Sequence, residues 1–502
     1  MPRAAAERGL TREYVLRRAQ EVADLIAEAR GFSVRGPIRA DVLTRSQLVD
    51  LVRRRMNEET PPEEIRAEGV LLERLGLIES ADGYEQTLYD MFEQQVAGLY
   101  DPDDRTTYVL SDLYPGEADL TLWHEIVHAL QDQSFHVGDR QDALEDDGDR
   151  SLAYSAVCEG DATITSLALQ TGVGWAALEW LLPRDVESLR ATMMPVGGGE
   201  FGVPDALLEV LSFPYVEGVA FVRRHWDKGG FAAVDNLFRH PPESTEQVIH
   251  PEKYGGADTP ITVKFGEPEG AFPGRRVAYE DTLGEFIVRV WLDEFVALTS
   301  AIEAAEGWGG DRLALLVPRG GGEPSCAAGA SPLDDRLWLC GAAPDCGTDA
   351  EVRLAERQGW VVWATVWDPA AEDNPLGATG EAEEFRVAAV AALERVLAGE
   401  TETTIDDEAE ADAEADAGLA AEAEAATGES RGVVATDERG RITWTFDGVG
   451  KGVAAVRRDG RNIHLVLGPA GGADELSGML DALDAAVAPP PAPADPSADA
   501  NE

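Results

Sequence analysis

The chain has 502 residues, 94 of them acidic and 42 basic, which gives a formal net charge of −52 at neutral pH. A charge of this sign and size repels nucleic-acid phosphates and anionic lipid surfaces at ordinary salt, so nucleic acid is excluded as a partner. With 44% hydrophobic residues, a chain of this length is globular and large enough for two or three domains. The acidic excess fits both high-salt adaptation and a GC-rich genome.

The N-terminal thirty residues carry charges throughout and lack the apolar run of a signal peptide. No later stretch has the length of a transmembrane segment. We therefore expect a protein that is soluble as written, without an export signal.

The cysteines contain no CxxC pair, which argues against a second zinc site. They are Cys158, Cys326, Cys340 and Cys346. A disulfide among the last three and reduced, partly buried thiols both fit the sequence.

The beginning of the chain predicts helices around a short strand. Apolar residues at helical spacing in Glu13–Arg30 indicate an amphipathic helix. An extended run at Ile38–Leu43 precedes a helix that Thr44 or Ser46 could cap. Two further helices are predicted at Gly69–Leu77 and Tyr84–Gly98.

The segment Thr121–Gln133 places His124 and His128 four residues apart, with Glu125 directly after the first histidine. Imidazoles at this spacing lie on one helix face and can reach one Zn²⁺, while the glutamate can hold a water at the metal. Histidine is scarce here, with seven in the chain. The pattern therefore predicts a zinc-binding helix more than a chance pair of surface or capping histidines.

A turn at Asp101–Asp104 and a strand at Thr106–Leu110 precede this helix directly. In zinc peptidases of this general design, an edge strand beside the metal helix pairs with an extended substrate. An ordinary core strand fits the sequence equally well.

A third metal ligand is predicted on the following helix, Ser151–Thr171, which carries Glu159 among apolar residues. Burying an unpaired carboxylate costs several kcal/mol, so this side chain needs a partner. As a zinc ligand it completes a His₂Glu set with one open position, which is typical of a catalytic site. The alternative is a surface glutamate. The acid-rich stretch Asp139–Asp149 between the helices lacks EF-hand spacing and is expected to be a solvated loop.

These motifs together resemble the gluzincin group of metallopeptidases, in which a glutamate on a following helix supplies the third ligand. More closely, HALQDQ and EGDAT, FPYVEGVAFV at Phe213–Val222 and PPESTEQVIHPEKY at Pro241–Tyr254 resemble a set of prokaryotic gluzincin-like proteins. The resemblance spans Ile38–Trp367. It implies a zinc-dependent peptidase fold and no particular substrate. Many relatives are exported or lipid-anchored, which would suit a secreted or cell-surface protein, but this chain shows no such signal.

We expect the predicted site to perform metal-assisted hydrolysis of peptide bonds. A Zn²⁺ held by His124, His128 and Glu159 would lower the pKa of a water and polarise the scissile carbonyl, and Glu125 is expected to accept the water's proton and deliver it to the leaving amine. Metal-ligating histidines usually donate their other ring N–H to a carboxylate or carbonyl. We expect Asp161 in this role, in preference to Asp132.

Two residues are candidates for stabilising the oxyanion across the metal from the base. They are Tyr215, which follows Pro214 at a predicted helix start, and His250, with His225 and His240 behind them. A hydrogen-bonded core aromatic or histidine is an equal alternative for each. Glu246 and Gln247 could instead hold the Pro241–Tyr254 segment together.

The C-terminal part predicts a long helix at Asp281–Ala305, ended by the glycines of Gly307–Arg312, and then a strand–strand–helix pattern that occurs twice. Strands are expected at Arg312–Val317, Arg336–Leu339, Trp360–Trp367, Ile442–Phe446, Val453–Arg457 and Asn462–Leu467, and helices at Glu381–Leu397 and Asp474–Val487. The Ala/Glu/Asp-rich stretch between the two halves has the composition of a disordered acidic linker.

The fold class expected is α+β: a mainly helical zincin-type peptidase domain with a small sheet, followed by an α+β accessory domain. The expected domains are an N-terminal helix (1–36), a gluzincin-like metallopeptidase domain (37–306), the first half of an accessory domain (307–399), an acidic linker (400–430), the second half of the accessory domain (431–487) and a disordered tail (488–502).

The function predicted from the sequence is a zinc metallopeptidase with a peptide or protein substrate. Two alternatives stay open: a catalytically idle scaffold that binds protein or surface partners, and a zinc hydrolase of non-peptide amides. The intact ligands and Glu125 favour the enzyme. The sequence does not indicate an oligomeric state.

Overall fold

A computed structural model of the protein describes residues 10–172, 174–193, 203–256, 258–266, 268–319, 356–369, 379–399, 433–437, 441–448 and 452–487. The fold in these ranges is α+β, as expected. The chain divides into two compact units, one formed by Met1–Gly69 with Leu77–Asp258 and the other by Val70–Gly76 with Thr259–Glu502. Among the described helices, none combines the length and apolar character needed to cross a membrane.

The first unit is mainly helical and contains a three-stranded sheet. Its helices are α1 (Arg12–Arg30), α2 (Arg45–Glu59), α3 (Pro62–Leu75, whose last residues belong to the second unit), α4 (Tyr84–Gln95), α5 (Pro115–Phe135), α6 (Val137–Asp142), α7 (Gly148–Gln170), α8 (Leu178–Leu181), α9 (Val186–Met193), α10 (Asp205–Arg239) and α11 (Thr245–Ile249). Its strands are β1 (Arg39–Leu43), β2 (Gly98–Asp101) and β3 (Thr106–Leu110).

The first helices begin where the sequence provides caps. The Thr11 side chain accepts the Tyr14 N–H at the start of α1, and Gly31 ends this helix at φ 84°, a conformation that favours glycine. Of the two cap candidates for α2, Thr44 is the one used, in a capping box with Gln47. Both helices predicted for this segment are confirmed.

Strand β3 is the centre of its sheet, because it pairs in parallel with β1 and antiparallel with β2. The strand predicted at Thr106–Leu110 is therefore confirmed, and of its two alternatives the structure shows the core strand and not the edge strand. The helix predicted for Tyr84–Gly98 ends at Gln95, and Gly98 begins β2. A Cβ at Gly98 would lie 2.5 Å from the Tyr108 carbonyl oxygen, so only glycine allows β2 to approach β3 this closely.

Two other expectations in this unit need correction. The stretch Asp139–Asp149 is partly helical, because α6 extends to Asp142 and Asp147 caps the start of α7. Pro214 does not begin a helix but lies inside α10. That helix is instead interrupted at Gly229 and Gly230, the second with φ 61°, where glycine tolerates the left-handed backbone.

Helices α7 and α10 cross in backbone contact. A Cβ on Gly160 would lie 2.3 Å from the Gly218 carbonyl oxygen, and a Cβ on Gly218 would lie 2.3 Å from the Ala156 carbonyl oxygen. Each glycine follows a glutamate, Glu159 or Glu217, in the EGDAT and FPYVEGVAFV motifs. The glycines of these motifs thus allow the two helices to pack without intervening side chains.

The second unit is built on a seven-stranded antiparallel sheet in the order β4-β5-β6-β10-β9-β8-β7. The strands are β4 (Arg275–Asp281), β5 (Trp308–Pro318), β6 (Trp360–Trp367), β7 (Val433–Thr436), β8 (Ile442–Gly448), β9 (Gly452–Asp459) and β10 (Asn462–Gly468). The helices are α12 (Pro268–Ala271), α13 (Gly284–Asp293), α14 (Leu298–Ala305), α15 (Gly380–Ala398) and α16 (Ala473–Ala486).

Five predicted strands and both late helices are confirmed, but the long helix Asp281–Ala305 is wrong. It is two helices, because the N–H groups of Phe295 and Val296 both bond to the Leu292 carbonyl and Ala297 is extended. The start at Gly284 is fixed by Asp311, whose carboxylate accepts the N–H groups of Leu283 and Gly284. No glycine or proline marks the break between the two helices.

The domain boundary expected at 306/307 differs from the division between the compact units, which falls after Asp258. Strand β4 precedes that expected boundary, yet it is hydrogen-bonded to β5 beyond it. Four of the sequence predictions concern segments outside the described residues. These are the strand at Arg336–Leu339, the linker 400–430, the tail 488–502 and the pairing of Cys326, Cys340 and Cys346.

Candidate metal centre

One face of α5 is anchored in the core of the first unit. Leu122, Trp123, Ile126 and Val127 are buried against a cluster that includes residues of α1 and β1. Because these residues occupy the core side, His124 and His128, one turn apart, lie on the side that meets α7. The helix extends beyond the predicted Thr121–Gln133 on both sides.

The predicted ligand atoms converge. His124 Nε2 lies 3.0 Å from Glu159 Oε2 and 3.1 Å from His128 Nε2, and His128 Nε2 lies 3.4 Å from Glu159 Oε2. Tetrahedral coordination with bonds of 2.0–2.1 Å separates neighbouring ligand atoms by about 3.3 Å. The donor set of two imidazoles and one carboxylate, at these separations, therefore fits a zinc ion.

The ligand side chains are neither fully buried nor on the open surface. Their exposed fractions are 23% for His124, 16% for His128 and 21% for Glu159. A solvent-facing side is what a fourth ligand, such as water, requires.

The electrostatics of the ligands are strongly coupled. Burial alone would lower the pKa of His128, but the Glu159 carboxylate outweighs it and raises this pKa to about 9. Burial would likewise raise the pKa of Glu159, yet the two histidines bring it well below its usual range. The carboxylate is thus ionised and His128 holds its proton tightly, so a divalent cation that binds here would replace that proton.

Glu125 lies beside this cluster. Burial raises the pKa of its carboxyl group, and the charge of Glu159 adds to this, while the histidines and the backbone N–H of Tyr100 lower it. Tyr100 belongs to β2, so the edge strand of the sheet reaches the predicted base. A carboxyl with a raised pKa is suited to taking up a proton and releasing it again.

The contact to the second nitrogen of His128 is not the predicted one. His128 Nδ1 lies 2.9 Å from Gln131 Oε1, one turn along the same helix. Gln131 is fully buried, and its amide nitrogen donates to Asp161 Oδ2 and to the Cys158 carbonyl, each at 3.0 Å. Asp161 therefore reaches the histidine only through Gln131, because that amide fills the space between them.

Asp132, the other residue considered for this role, points elsewhere. Its carboxylate accepts the Tyr100 hydroxyl at 2.8 Å and the Gly138 N–H at 3.2 Å. It therefore ties α5 to β2 and to the start of α6.

Tyr215 lies beside the cluster of His124, His128 and Glu159. Its ring stacks on His124 with centroids 6.4 Å apart, and the negative charges of Glu159 and Glu125, together with burial, raise its pKa well above the usual value. The residue is 39% exposed, so it is not a core aromatic. Its hydroxyl is close to the carboxylates of the site and remains protonated.

The segment Pro241–Tyr254 is held by its own polar residues. Gln247 accepts the Glu243 N–H and donates to the Asp258 carbonyl, both at 2.9 Å, and Glu246 accepts from Lys253. His250 Nδ1 approaches Glu252 at 3.9 Å, and its oxyanion role stays a prediction.

The two remaining histidines behind these candidates have contacts within the same unit. His225 Nδ1 donates to the Phe221 carbonyl at 2.9 Å. The His240 carbonyl accepts the Tyr254 hydroxyl at 2.6 Å.

The residues that the sequence reasoning missed are Gln131, Arg30 and Tyr100. Gln131 is three residues from His128 and thus on the same helix side, a spacing that could have indicated it. Arg30 contacts Asp161 from 131 residues away, and no local pattern indicates that contact.

Comparisons of the chain with family models, with curated proteins and with solved structures gave no match.

Proposed function

We propose that this protein is a zinc-dependent peptidase whose metal is held by His124, His128 and Glu159. The observation that carries the proposal is the convergence of three ligand atoms to separations of 3.0–3.4 Å, next to Glu125. The gluzincin resemblance of the motifs agrees with this but is not needed for it. A zinc ion in this site would lower the pKa of a water and polarise a substrate carbonyl.

The chain's own residues supply the proton transfers. Glu125, with its raised pKa, accepts a proton from the attacking water and delivers it to the leaving amine. The Tyr215 hydroxyl, kept protonated by the surrounding carboxylates, donates a hydrogen bond to the oxyanion as charge develops. Both groups flank the ligand set, as amide hydrolysis requires.

An extended substrate has an edge available beside the base. Since β3 is central, strand addition would use β2 or β1. The Leu110 N–H bonds to the Ala97 carbonyl, so by alternation the N–H of Tyr100 points away from β3. This N–H is the one that reaches Glu125, and a peptide along β2 would therefore pass the proposed base.

The test is metal analysis of the purified protein together with digestion of an unbiased peptide library. We expect about one zinc per chain and peptide cleavage by the wild type. Glu125→Gln should retain zinc and lose cleavage by about 10²–10⁴-fold, the contribution that a general base and its proton transfers typically make. Glu117→Gln on the same helix is the matched control, since glutamine preserves the capping box at Tyr114.

Each alternative has its own outcome in this experiment. Protein without stoichiometric zinc would refute the metal site. Zinc without cleavage of any peptide would favour the idle scaffold, and cleavage of small amide substrates alone would favour a non-peptide hydrolase.

A further inference from the structure

A buried chain of polar side chains connects helix α1 to one of the metal ligands. We propose that Arg30, Asp161 and Gln131 are positioning residues that keep the proton of His128 on Nδ1 and so direct its Nε2 to the metal. This inference rests on the proposed zinc function and adds α1 to the metal centre. Its test is the affinity for zinc, which is independent of peptide cleavage.

The orientation of the Gln131 amide follows from its neighbours. Its nitrogen lies 3.0 Å from the Cys158 carbonyl oxygen and 3.0 Å from Asp161 Oδ2. A carbonyl and a carboxylate that already binds Arg30 can only accept hydrogen bonds. The amide group must therefore point its nitrogen at them, and its oxygen is left to face His128 Nδ1 at 2.9 Å.

An oxygen at Nδ1 determines which nitrogen of His128 is free for a metal. The amide oxygen has no hydrogen to donate, so Nδ1 must carry the proton. The nitrogen that can present a lone pair is then Nε2, the one 3.1 Å from His124 Nε2 and 3.4 Å from Glu159 Oε2. Metal-ligating histidines are commonly fixed in this manner by the group on the other nitrogen.

Asp161, the next member, is held in a single orientation. Arg30 binds it with two nitrogens, Nε to Oδ1 at 2.9 Å and a terminal nitrogen to Oδ2 at 3.3 Å, and the Thr165 hydroxyl adds a bond of 3.3 Å to Oδ1. Arg30 and Asp161 are 1% and 0% exposed at their side chains. The bidentate geometry fixes the carboxylate that receives the Gln131 amide.

Arg30 is itself immobilised by the segment that follows α1 and by α10. Its guanidinium lies 4.5 Å from the ring centre of Phe32 and 4.2 Å from that of Phe231, and it also binds Asp235 of α10 at 2.7 Å. The last residue of α1 is thus connected to α7 through Asp161 and to α10 through Phe231 and Asp235.

Stability alone does not account for this arrangement. A buried ion pair gives little net stabilisation over apolar residues of similar volume, because both charges must leave water. The neighbouring residue Gln133 shows what a structural glutamine does on this helix: its amide oxygen accepts the N–H groups of Arg35 and Gly36 at 2.8 and 3.0 Å. Gln131 contacts no such loop and ends instead on a metal ligand.

The experiment measures the zinc dissociation constant of the full chain by competition with a chelator of known affinity. Gln131→Met is nearly isosteric and removes the acceptor at Nδ1. We expect it to weaken zinc binding about 10–100-fold, the usual effect of losing such a contact. Gln133→Met, on the same helix, is the matched control and should bind zinc as the wild type does.

A second variant covers the case in which Gln131→Met fails to fold, as judged by circular dichroism in chelator. Arg30→Lys keeps a cation beside Asp161 and loses the fork that orients it, so zinc binding should weaken by a smaller factor. Wild-type affinity in folded Gln131→Met, or in Arg30→Lys where the former is unfolded, would overturn the inference. Either result would leave the proposed peptidase intact, whereas a wild type that binds no zinc would remove both.

Discussion

A fully buried aspartate in each unit, Asp161 in the first and Asp311 in the second, is satisfied in opposite ways. Asp161 in the first unit is 0% exposed and Asp311 in the second is 1% exposed. Asp161 binds a guanidinium, a hydroxyl and an amide, and its network continues to His128. Asp311 accepts the N–H groups of Leu283 and Gly284 and the indole N–H groups of Trp308 and Trp363, at 2.9–3.1 Å.

This difference indicates that Asp311 has a structural role, whereas Asp161 is connected to the candidate metal site through Gln131. The described partners of Asp311 are neutral N–H donors at the start of α13 and on β5 and β6. Its hydrogen-bond network ends at these residues. Burial raises the pKa of Asp311 to about 6, although all four N–H groups favour the charged form. Asp161 instead binds the buried guanidinium of Arg30, 131 residues away, which is a more costly arrangement. Its network leads through Gln131 to His128, one of the proposed metal ligands.

The largest effect is expected at the helix crossing that brings Glu159 and Tyr215 together. In Gly160→Ala the new Cβ would lie 2.3 Å from the Gly218 carbonyl oxygen, so α7 and α10 must separate. We expect a loss of about 3 kcal/mol or more in the free energy of unfolding, measured by chemical denaturation. Zinc binding should weaken as well, since Glu159 is adjacent.

The control for the crossing is Gly116→Ala at the exposed start of α5, where a Cβ meets no atom within 4 Å. It should be neutral or stabilising by up to about 1 kcal/mol. A Gly160→Ala protein as stable as the wild type would contradict the close crossing.

Tyr215→Phe tests the role of the tyrosine hydroxyl on the solvent-exposed side of the proposed metal site. If the hydroxyl stabilises the oxyanion, kcat should fall about 10²–10³-fold with zinc content and KM little changed. Tyr14→Phe, on the surface of α1, should leave kcat unchanged. A loss of zinc in Tyr215→Phe would instead assign the residue to holding Glu159.

Asp311→Asn tests the four hydrogen bonds that Asp311 accepts in the second unit. Asparagine would direct an NH₂ group at two of the four donors, and hydrogen bonds to a charged group contribute about 1.5–3 kcal/mol. We expect the free energy of unfolding to fall by about 2–3 kcal/mol, followed by tryptophan fluorescence, with zinc binding unaffected. Asp474→Asn, exposed at the start of α16, is the control. A weaker zinc affinity in Asp311→Asn would break the contrast between the two carboxylates.

The sequence predicts the two proposed histidine ligands because their spacing is local. His124 and His128 are one helical turn apart, and Glu159 is a carboxylate within an otherwise apolar helix. The first pattern depends on helix geometry alone, whereas Glu159, which is 35 residues from His124, reaches the histidines through the packing of α7 against α5. The contacts of Arg30 and the central position of β3 depend on pairing across 131 and 67 residues, and nothing in the local sequence encodes them.

The strands and late helices of the second unit can also be predicted from the sequence, because alternating and apolar runs of residues define them. The break between α13 and α14 is not, because its residues, Glu294–Ala297, include no glycine or proline. The buried Phe295 side chain is a tertiary contact that the periodicity of the helix does not reveal. The periodic pattern therefore continues across a junction that packing interrupts.

The smallest effect concerns a third carboxylate, Asp484 of α16, which differs from both of these aspartates because it is only partly buried. Burial would raise its pKa, but hydrogen bonds from His464 and Arg457 outweigh this, and the pKa is lowered from its usual 3.8. A lowered pKa means that the folded state holds the proton less tightly than the unfolded state. The stabilisation from Asp484 is thus present above pH 4 and is lost as the pH falls through the folded pKa.

We expect Asp484→Asn to be less stable than the wild type at pH 6 by about 0.5–1 kcal/mol, because solvent screens a partly exposed pair. The difference between the two proteins should shrink as the pH is lowered from 5 to 3, measured by denaturant titration at each pH. Comparing the variant with the wild type cancels the acid sensitivity of the other carboxylates. A difference that stays constant over this range would mean that Asp484 contributes through packing and not through its charge.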